Sequence, residues 1–349
     1  MLKYLFVLIT FSFVLIGCGN NNTPEKIKSD KEKYEFDSTD LKTDGIDNSG
    51  KPFLMGYNFK KGEKHVYRLT TISSNTQTLV MDTTMTSAVE QKIVYLIDFN
   101  VKDIDDEGIT EVELNINSIK LNASANGQSF EFESTKDNDT AKTKQFAEFH
   151  ALHNSPFSIR FNKSGDVLEV FRADKISNKF LETKGAADTI SANDRNTIKQ
   201  ELINGVLVPI VTQIVRKVSD KEVYKDSSWQ IQQAPIPLMV YQINYVNTYK
   251  IEKVEKLNDS RIAVIDANIL FNYSGNSKVN QAGMQYTFQK PISRAEGKIY
   301  FDVDKGFQIK SRTKTHLEIS FSMEANTPEG KKTGKRRDVV SNTNILELL

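Results

Sequence analysis

From Phe53 to the C-terminus, apolar and polar residues alternate with period two over most of the chain. That pattern predicts β-strands with one face buried and one wet. Tyr57-Asn58-Phe59 and His65-Val66-Tyr67-Arg68-Leu69 alternate around Lys60-Lys61-Gly62-Glu63, which predicts a hairpin. A long strand is expected over 89–101, followed by the acidic turn 103–108 and a return strand over 109–116. That return strand carries Val112, Leu114 and Ile116 on one face and Glu111, Glu113 and Asn115 on the other. A further pair over 119–121 and 130–132 is joined across Asn126-Gly127, and 158–161 and 167–171 flank a turn ending in Gly165-Asp166. Strands over 238–253, 261–271, 297–307 and 313–323 and a closing strand over 339–348 complete the series.

Helical spacing is confined to three stretches, a short one over 140–153, a weak one over 174–181 and a longer one over 194–218. In the last, Ile198, Leu202, Val206, Ile210, Ile214 and Val218 recur every four residues, with Ile203, Leu207, Val211 and Val215 beside them. Asn193 or Asp194 is the expected N-cap, and Gly205 and Pro209 should kink the middle.

The strands before and after this helix correspond in order. Strand 89–101, its return strand and the hairpin around Gly165 match strand 239–253, strand 261–271 and the hairpin around Gly306, and both hairpins carry a Phe, then Asn or Asp, then a turn glycine. The expected fold is mainly β: a large curved antiparallel sheet or half-barrel with an internal duplication, its halves (53–190 and 230–349) joined by the helical stretch 191–229. Such a sheet would curl around the apolar helix.

The first eighteen residues break from this pattern. Lys3 precedes an apolar run of about 13 residues, too short for a roughly 30 Å hydrocarbon layer but suited to an export signal. Leu15-Ile16-Gly17-Cys18 resembles the lipobox of bacterial lipoproteins, in which the cysteine is acylated and becomes the first residue after cleavage. The resemblance implies a signal peptide over 1–17, a lipid anchor at Cys18 and palmitate among its acyl chains. With Gly19 rather than Asp in the next position, the family's sorting rule implies the outer membrane, facing either the periplasm or the surface. Residues 18–52, crowded with Asn, Asp, Lys, Ser and Thr, are expected to form a flexible polar tether to a body over 53–349.

Charge and composition narrow the chemistry. Lys plus Arg number 46 and Asp plus Glu 45, for a formal charge of +1. Removal of Lys3 with the leader brings the mature chain to zero, which excludes a global attraction to nucleic acid. Cys18 is the sole cysteine, so its acylation would leave no thiol for a disulfide, a nucleophile or a metal site. Asp103, Asp105, Glu107 and Gly108 open like a calcium loop, but the twelfth position is Leu114, and 302–306 is read likewise as a solvated turn. His150 and His153, with Glu148 nearby, lack a third ligand at a recognisable spacing; no metal or cofactor is expected. His65 and His316 fall in strand patterns, and no nucleophile elbow, phosphate loop or dinucleotide fingerprint occurs. The basic run Lys331, Lys332, Lys335, Arg336 and Arg337 suits a charged hairpin loop or contact with anionic headgroups or glycan. Trp229, the sole tryptophan, is expected as a core plug rather than a ligand platform.

The order of lipobox, polar tether, strand meander, apolar helix, Asp226-Ser227-Ser228-Trp229 and Gly297-Lys298-Ile299-Tyr300-Phe301-Asp302 resembles a family of uncharacterised β-rich bacterial lipoproteins known as a domain of unknown function. That family usually has Gly-Asp directly before Ser/Thr-Trp, where this chain has Lys225-Asp226 and an extra Ser228. More remotely the plan is similar to the half-barrel of lipoprotein carriers, which implies a cavity for acyl chains between a curved sheet and its plugging helices. The expected function is a non-enzymatic, membrane-anchored envelope lipoprotein that binds an apolar or amphipathic ligand or a partner protein. The alternatives are a structural or surface-interaction lipoprotein with a solid core and, third, an uncharacterised hydrolase.

Overall fold

The computed structural model describes residues 32–46, 50–281, 283–328 and 330–349. The anchor residue Cys18 and its signal peptide lie outside the described residues. The described residues are mainly β, 56% strand, in one large antiparallel sheet that does not close. In the first half β1 (Asp44–Gly45), β2 (Lys64–Val80), β3 (Thr84–Ile104), β4 (Thr110–Ala125), β5 (Gln128–Glu133), β6 (Phe157–Phe161) and β7 (Val167–Phe171) follow in order. The second half holds β8 (Ser228–Gln232), β9 (Ile236–Leu238), β10 (Tyr241–Leu257), β11 (Ser260–Gly275), β12 (Lys278–Gln281), β13 (Met284–Phe288), β14 (Ile292–Asp302), β15 (Phe307–Thr327) and β16 (Gly330–Leu348). Helices α1 (Thr140–Gln145), α2 (Ala147–Leu152) and α3 (Asp174–Lys184) lie between β5 and β8. So do α4 (Ala192–Leu202), a π-helical turn (Ile203–Leu207) and α5 (Val208–Ile214), which run on as one helix of about 23 residues. No described helix is long and apolar enough to cross a membrane.

The sheet order is β1-β10-β11-β14-β15-β16-β2-β3-β4-β6-β7, so the last strand of the chain pairs with the first long one and joins the two halves. The sets β3-β4-β6-β7 and β10-β11-β14-β15 run across the sheet in the same sense. Both contain a bulge in the first hairpin (Val101/Asp103 and Ile251/Lys253) and another in the second (Arg160/Phe161 and Tyr300/Phe301), while β3-β4 has a further one at Leu96/Ile97. Bulges sharpen local twist and bend the strand that carries them.

The curvature can be measured from one ring. Phe161 on β6 and Phe301 on β14 are six strand steps apart, roughly 29 Å on a flat sheet. Yet the Tyr57 ring packs edge-on against both, at 5.5 and 5.6 Å. The sheet therefore curls until its two flanks meet through the segment 53–59, in which Phe53, Met55, Tyr57 and Phe59 are buried while Leu54 is exposed.

This is where the period-two reading needs correction. The turn at 60–63 exists, but 57–59 does not pair with β2: Tyr57 N–H donates to Lys163 O and Asn58 N–H to Gly306 O, at 2.8 and 3.1 Å. The segment threads between the tips of the hairpins β6-β7 and β14-β15. Alternate burial reports an extended backbone between two packed surfaces, which need not be a ladder. Strands 109–116 and 119–121 are likewise one strand, β4, interrupted by a bulge opposite Leu96/Ile97.

The long helix begins at the N-cap Ser191, whose hydroxyl accepts from Asp194 N–H, rather than at Asn193 or Asp194, and it ends at Ile214 rather than 218. Its kink is the π-helical turn over Gly205, four residues before Pro209, which has no N–H to donate back. Ile203, Leu207, Ile210, Val211 and Ile214 are buried on one side while Asn204 and Thr212 remain exposed. Together with 53–59 and α2, this face fills one end of the curled sheet.

Part of the expected tether is docked. Residues 32–46 cross the outer face of the sheet from β4 to β10: Tyr34 is buried and bonds Ser118, Phe36 lies under Lys92, Asp37 pairs with Lys310 at 2.8 Å, and Asp44-Gly45 pair with Lys256-Glu255. Tyr34 and Leu41 supply the apolar contacts that a wholly polar tether would lack.

Candidate functional site

Inward-facing positions fall into two zones along the strands. At the plugged end Tyr67, Leu69, Tyr95, Ile97, Phe99, Leu114, Ile251, Ile265 and Ile299 are buried against the helices and 53–59. Farther along the same strands the inward positions continue as Thr71, Ser73 and Asn75 on β2, Asn344 and Asn342 on β16, and Thr313 and Thr315 on β15. These are only part-buried. The result is a trough with a floor of small hydrogen-bonding side chains, where Thr71 donates to Asn344 Oδ1 at 3.0 Å.

One flank of the trough is apolar. Leu238, Ile243, Ile319 and Phe321 form a second cluster, with Tyr245, Phe271, Tyr273, Tyr286, Phe288, Leu317 and Met323 packed on it and part-exposed. Phe288 and Phe321 lie 4.8 Å apart at an angle, and Tyr241 meets Phe288 edge-on. On the opposite flank Val89, Ala123 and Phe130 carry less apolar bulk. The outer face has a shallow groove of about 500 Å³ over β2 to β5, lined by Ser74, Glu90, Lys92, Asn122, Ser129 and Glu131, with charges of both signs.

At the junction of the two zones Trp229 on β8 stacks on Tyr249 at 5.2 Å. Trp229 is part-buried and packed on the core, with its Nε1 sealed from solvent and unpartnered. Nearby Gln308 donates to Gln213 O and Ser311 Oγ, at 3.0 and 3.1 Å, while its own Oε1 stays buried without a partner. None of these groups except Trp229 stands out in the sequence, because Gln213, Arg216, Tyr249 and Gln308 come from distant elements and carry no spacing.

The other residues singled out by sequence are dispersed. Asp105 Oδ1 caps the N–H groups of Glu107 and Ile109, and Asp103 pairs with Lys61 at 2.8 Å. Asp302 accepts from the N–H groups of Asp304 and Lys305, and Asp304 pairs with Arg261. Both acidic turns thus spend their carboxylates on their own backbone and on neighbouring cations. Among the described residues no three His, Cys, Asp or Glu side chains gather as a metal would require. His65 bonds Glu63 within a nest of aromatic rings, and His316 meets Ser341 Oγ at 3.0 Å. The basic run is no loop: it lies in β16, paired with β15 throughout and with β2 from Lys335 onward, with Arg336 forked on Asp338, Arg337 on Glu318, and Lys331 paired with Glu324. It runs beside Val80 and Met81, which are exposed at the β2-β3 tip.

His150 and His153 sit at the end of α2 with Glu148 one turn back. Burial pushes both imidazoles down, with Lys179 adding to the effect, and burial pushes Glu148 up, partly opposed by Lys184. A carboxyl raised in the folded state loses its contribution as pH rises past the ordinary carboxylate range, because the unfolded chain ionises first. Imidazoles lowered in the folded state destabilise it as pH falls below their ordinary value. Glu148→Gln should therefore raise the melting temperature at pH 7 and leave it unchanged below the carboxylate range, which thermal unfolding across pH would check. An equal gain at every pH would contradict the burial cause.

A model of a family of unknown function (DUF6263) matches residues 107–308, more than half of the chain. No curated protein matches. Among solved structures, one titled for lipid-protein interactions in lipovitellin is 9% identical with a TM-score of 0.41, covering 84% of this chain and 25% of that one. An outer membrane channel from Pseudomonas putida F1 is 7% identical with a TM-score of 0.20, covering 87% and 99%. The Pseudomonas aeruginosa channel OccK2 in complex with glucuronate is 7% identical with a TM-score of 0.17, covering 81% and 96%. The chain thus spans about a quarter of the lipovitellin chain it resembles.

Proposed function

The chain belongs to the family of unknown function DUF6263, and we propose that it is a non-enzymatic lipoprotein of the bacterial envelope that holds an apolar or amphipathic ligand in the trough of its sheet. Cys18 would carry the lipid anchor, and Gly19 after it favours the outer membrane. Because Tyr34 is already docked on the sheet, the body stands closer to that anchor than a tether running to residue 52 would allow.

The observation that carries the reading is the uncovered inner face of β10, β11, β13 and β15, where seven part-exposed apolar side chains pack on a small core with a polar floor beside them. Apolar area left beside hydrogen-bonding groups in a concave surface suits a ligand with both kinds of surface. Burial of an acyl chain there would contribute about 0.8 kcal/mol per CH₂ removed from water. The plugged end, by contrast, is filled by its own side chains.

Mass spectrometry of the purified full chain tests this. The wild type is expected to carry noncovalent acyl-chain molecules in near one-to-one ratio. Thr313→Trp combined with Asn342→Trp, which crowds the floor at part-exposed positions, should lose most of them while keeping the fold by circular dichroism. A wild type that carries none, or a double variant that carries as much, would count against the trough.

A further inference from the structure

We propose that the open mouth of the trough docks on an anionic bilayer through the β2-β3 tip and the lysines of β16, so that an acyl chain passes between membrane and trough without crossing water. This rests on the trough being the ligand site and on Cys18 carrying the anchor.

The apolar flank of the trough runs on past its second cluster. Phe321 on β15, Arg336 on β16, Leu79 on β2 and Met85 on β3 stand on one rung of four adjacent strands, and so on one face. The Arg336 guanidinium, forked on Asp338, lies over the Phe321 ring at 5.9 Å from its centroid. Nearer the mouth on that face, Met323 pairs with Gly334. A Cβ on Gly334 would lie 3.2 Å from Met323 Cε and 3.3 Å from Met81 Cγ, so the bare backbone lets the two thioether side chains approach from either side. An apolar strip thus leads from Phe288 and Phe321 to the β2-β3 tip, where Val80, Met81 and Met85 are 40, 51 and 55% exposed. Apolar side chains clustered in water mark a contact surface.

Charge selects what covers it. The turns at the plugged end carry Asp103, Asp105, Asp106, Glu107, Asp259 and Asp304, and carboxylates outnumber lysines there. The hairpins at the mouth carry Lys278, Lys331, Lys332 and Lys335 against Asp82, Glu324 and Glu329, and Glu324 is spent on Lys331. Lys335 stands opposite Val80, beside the exposed tip. Anionic headgroups attract this end and repel the acidic one. The anchor brings a bilayer within reach: residues 19–33, between Cys18 and Tyr34, span at most about 50 Å. Phe36 lies under Lys92, about 23 Å along β3 from Met85. Val89 opposes Ala125 and Val80 opposes Lys335, so the tips step outward from β4-β5 to β15-β16 and a flat surface meets the strands obliquely. A few inserted side chains bind weakly and reversibly; the anchor holds the body and the mouth orients it.

Cys18 is the sole cysteine and acylation takes its thiol, so Met81→Cys or Asp106→Cys in the full chain accepts a single thiol-reactive fluorophore. Each labelled chain is bound to phosphatidylcholine vesicles with and without phosphatidylglycerol, their acyl chains brominated to quench on contact. With phosphatidylglycerol, the label at 81 is expected to be quenched at least about threefold more than the label at 106. Lys335→Gln in the Met81→Cys chain should lower the ratio of docked to undocked protein about fivefold. Equal quenching at the two positions, or quenching at 81 that ignores phosphatidylglycerol, would overturn the docking; noncovalent acyl molecules still found by mass spectrometry would leave the trough standing. A labelled chain that does not float with the vesicles would overturn docking and anchor together.

Discussion

Gly306→Ala is expected to destabilise the protein by about 3 kcal/mol or more. Two causes add. Gly306 has φ +75°, where an L side chain costs about 1–2 kcal/mol. An added Cβ would also lie 2.6 Å from Gly56 O and 2.7 Å from Asn58 N, backbone atoms that no rotamer change can move aside. Those atoms belong to the segment 53–59 that joins the two flanks of the sheet, and Asn58 N–H donates to Gly306 O itself. Relief of the clash therefore requires that segment to retreat from Phe301 and Phe307.

Gly165, at φ +85°, occupies the equivalent place on the other flank, where a Cβ would strike Arg216 O and the Tyr57 ring. Gly62 and Gly127 provide the control: their φ values are +83° and +86°, but nothing lies within 4 Å of an added Cβ. Gly62→Ala should lose only the conformational part, about 1 kcal/mol. Urea unfolding of the four variants separates the two causes. If Gly306→Ala proved as mild as Gly62→Ala, the clamp on 53–59 would not exist.

The contrast among these glycines marks how far sequence reasoning reached. That Gly165 and Gly306 close hairpins was legible, because a Phe, an Asn or Asp and a glycine at turn spacing are local signals. What each glycine touches was not, since Gly56, Asn58 and Arg216 arrive from far along the chain. The strands themselves were legible from alternation, and the kink of the long helix from Gly205 and Pro209. The threading of 53–59 was misread as a hairpin because period two records two-sided burial, whatever supplies the sides. The docked segment 32–46 was masked by its composition: a few apolar residues, chiefly Tyr34 and Leu41, are too sparse to give a period. The basic run at 331–337 read as a loop because its charges hide a strand whose carboxylate partners, Glu318, Glu324 and Asp338, sit on neighbouring positions. The trough combines both limits. Its walls follow from alternation, but the unpartnered Trp229 Nε1 at its edge emerges only once β8 is laid beside Tyr249.

Replacing residues 1–18 with a cleavable export leader that carries no lipobox is expected to move the protein almost wholly from the membrane pellet to the soluble fraction, without changing the circular dichroism of its body. One myristoyl-length chain gives only reversible binding, with an association constant of about 10⁴ M⁻¹, and each further chain multiplies it, so an anchor of several chains holds effectively for good. Nothing else described supplies comparable attachment. No described helix is long and apolar enough to cross a bilayer. The apolar side chains Val80, Met81 and Met85 at the β2-β3 tip, beside Lys335, offer at most a few inserted side chains and a salt-screened attraction. The two sources are separable by ionic strength. Acyl chains buried in hydrocarbon are indifferent to 1 M salt, roughly a 3 Å screening length, whereas attraction of β16 to anionic headgroups would vanish there. Wild-type protein should therefore stay in the pellet through a high-salt wash. A variant with the lipobox replaced in this way that pellets at low salt and is released at high salt would transfer the attachment to β16, and one that pellets under both conditions would refute the anchor.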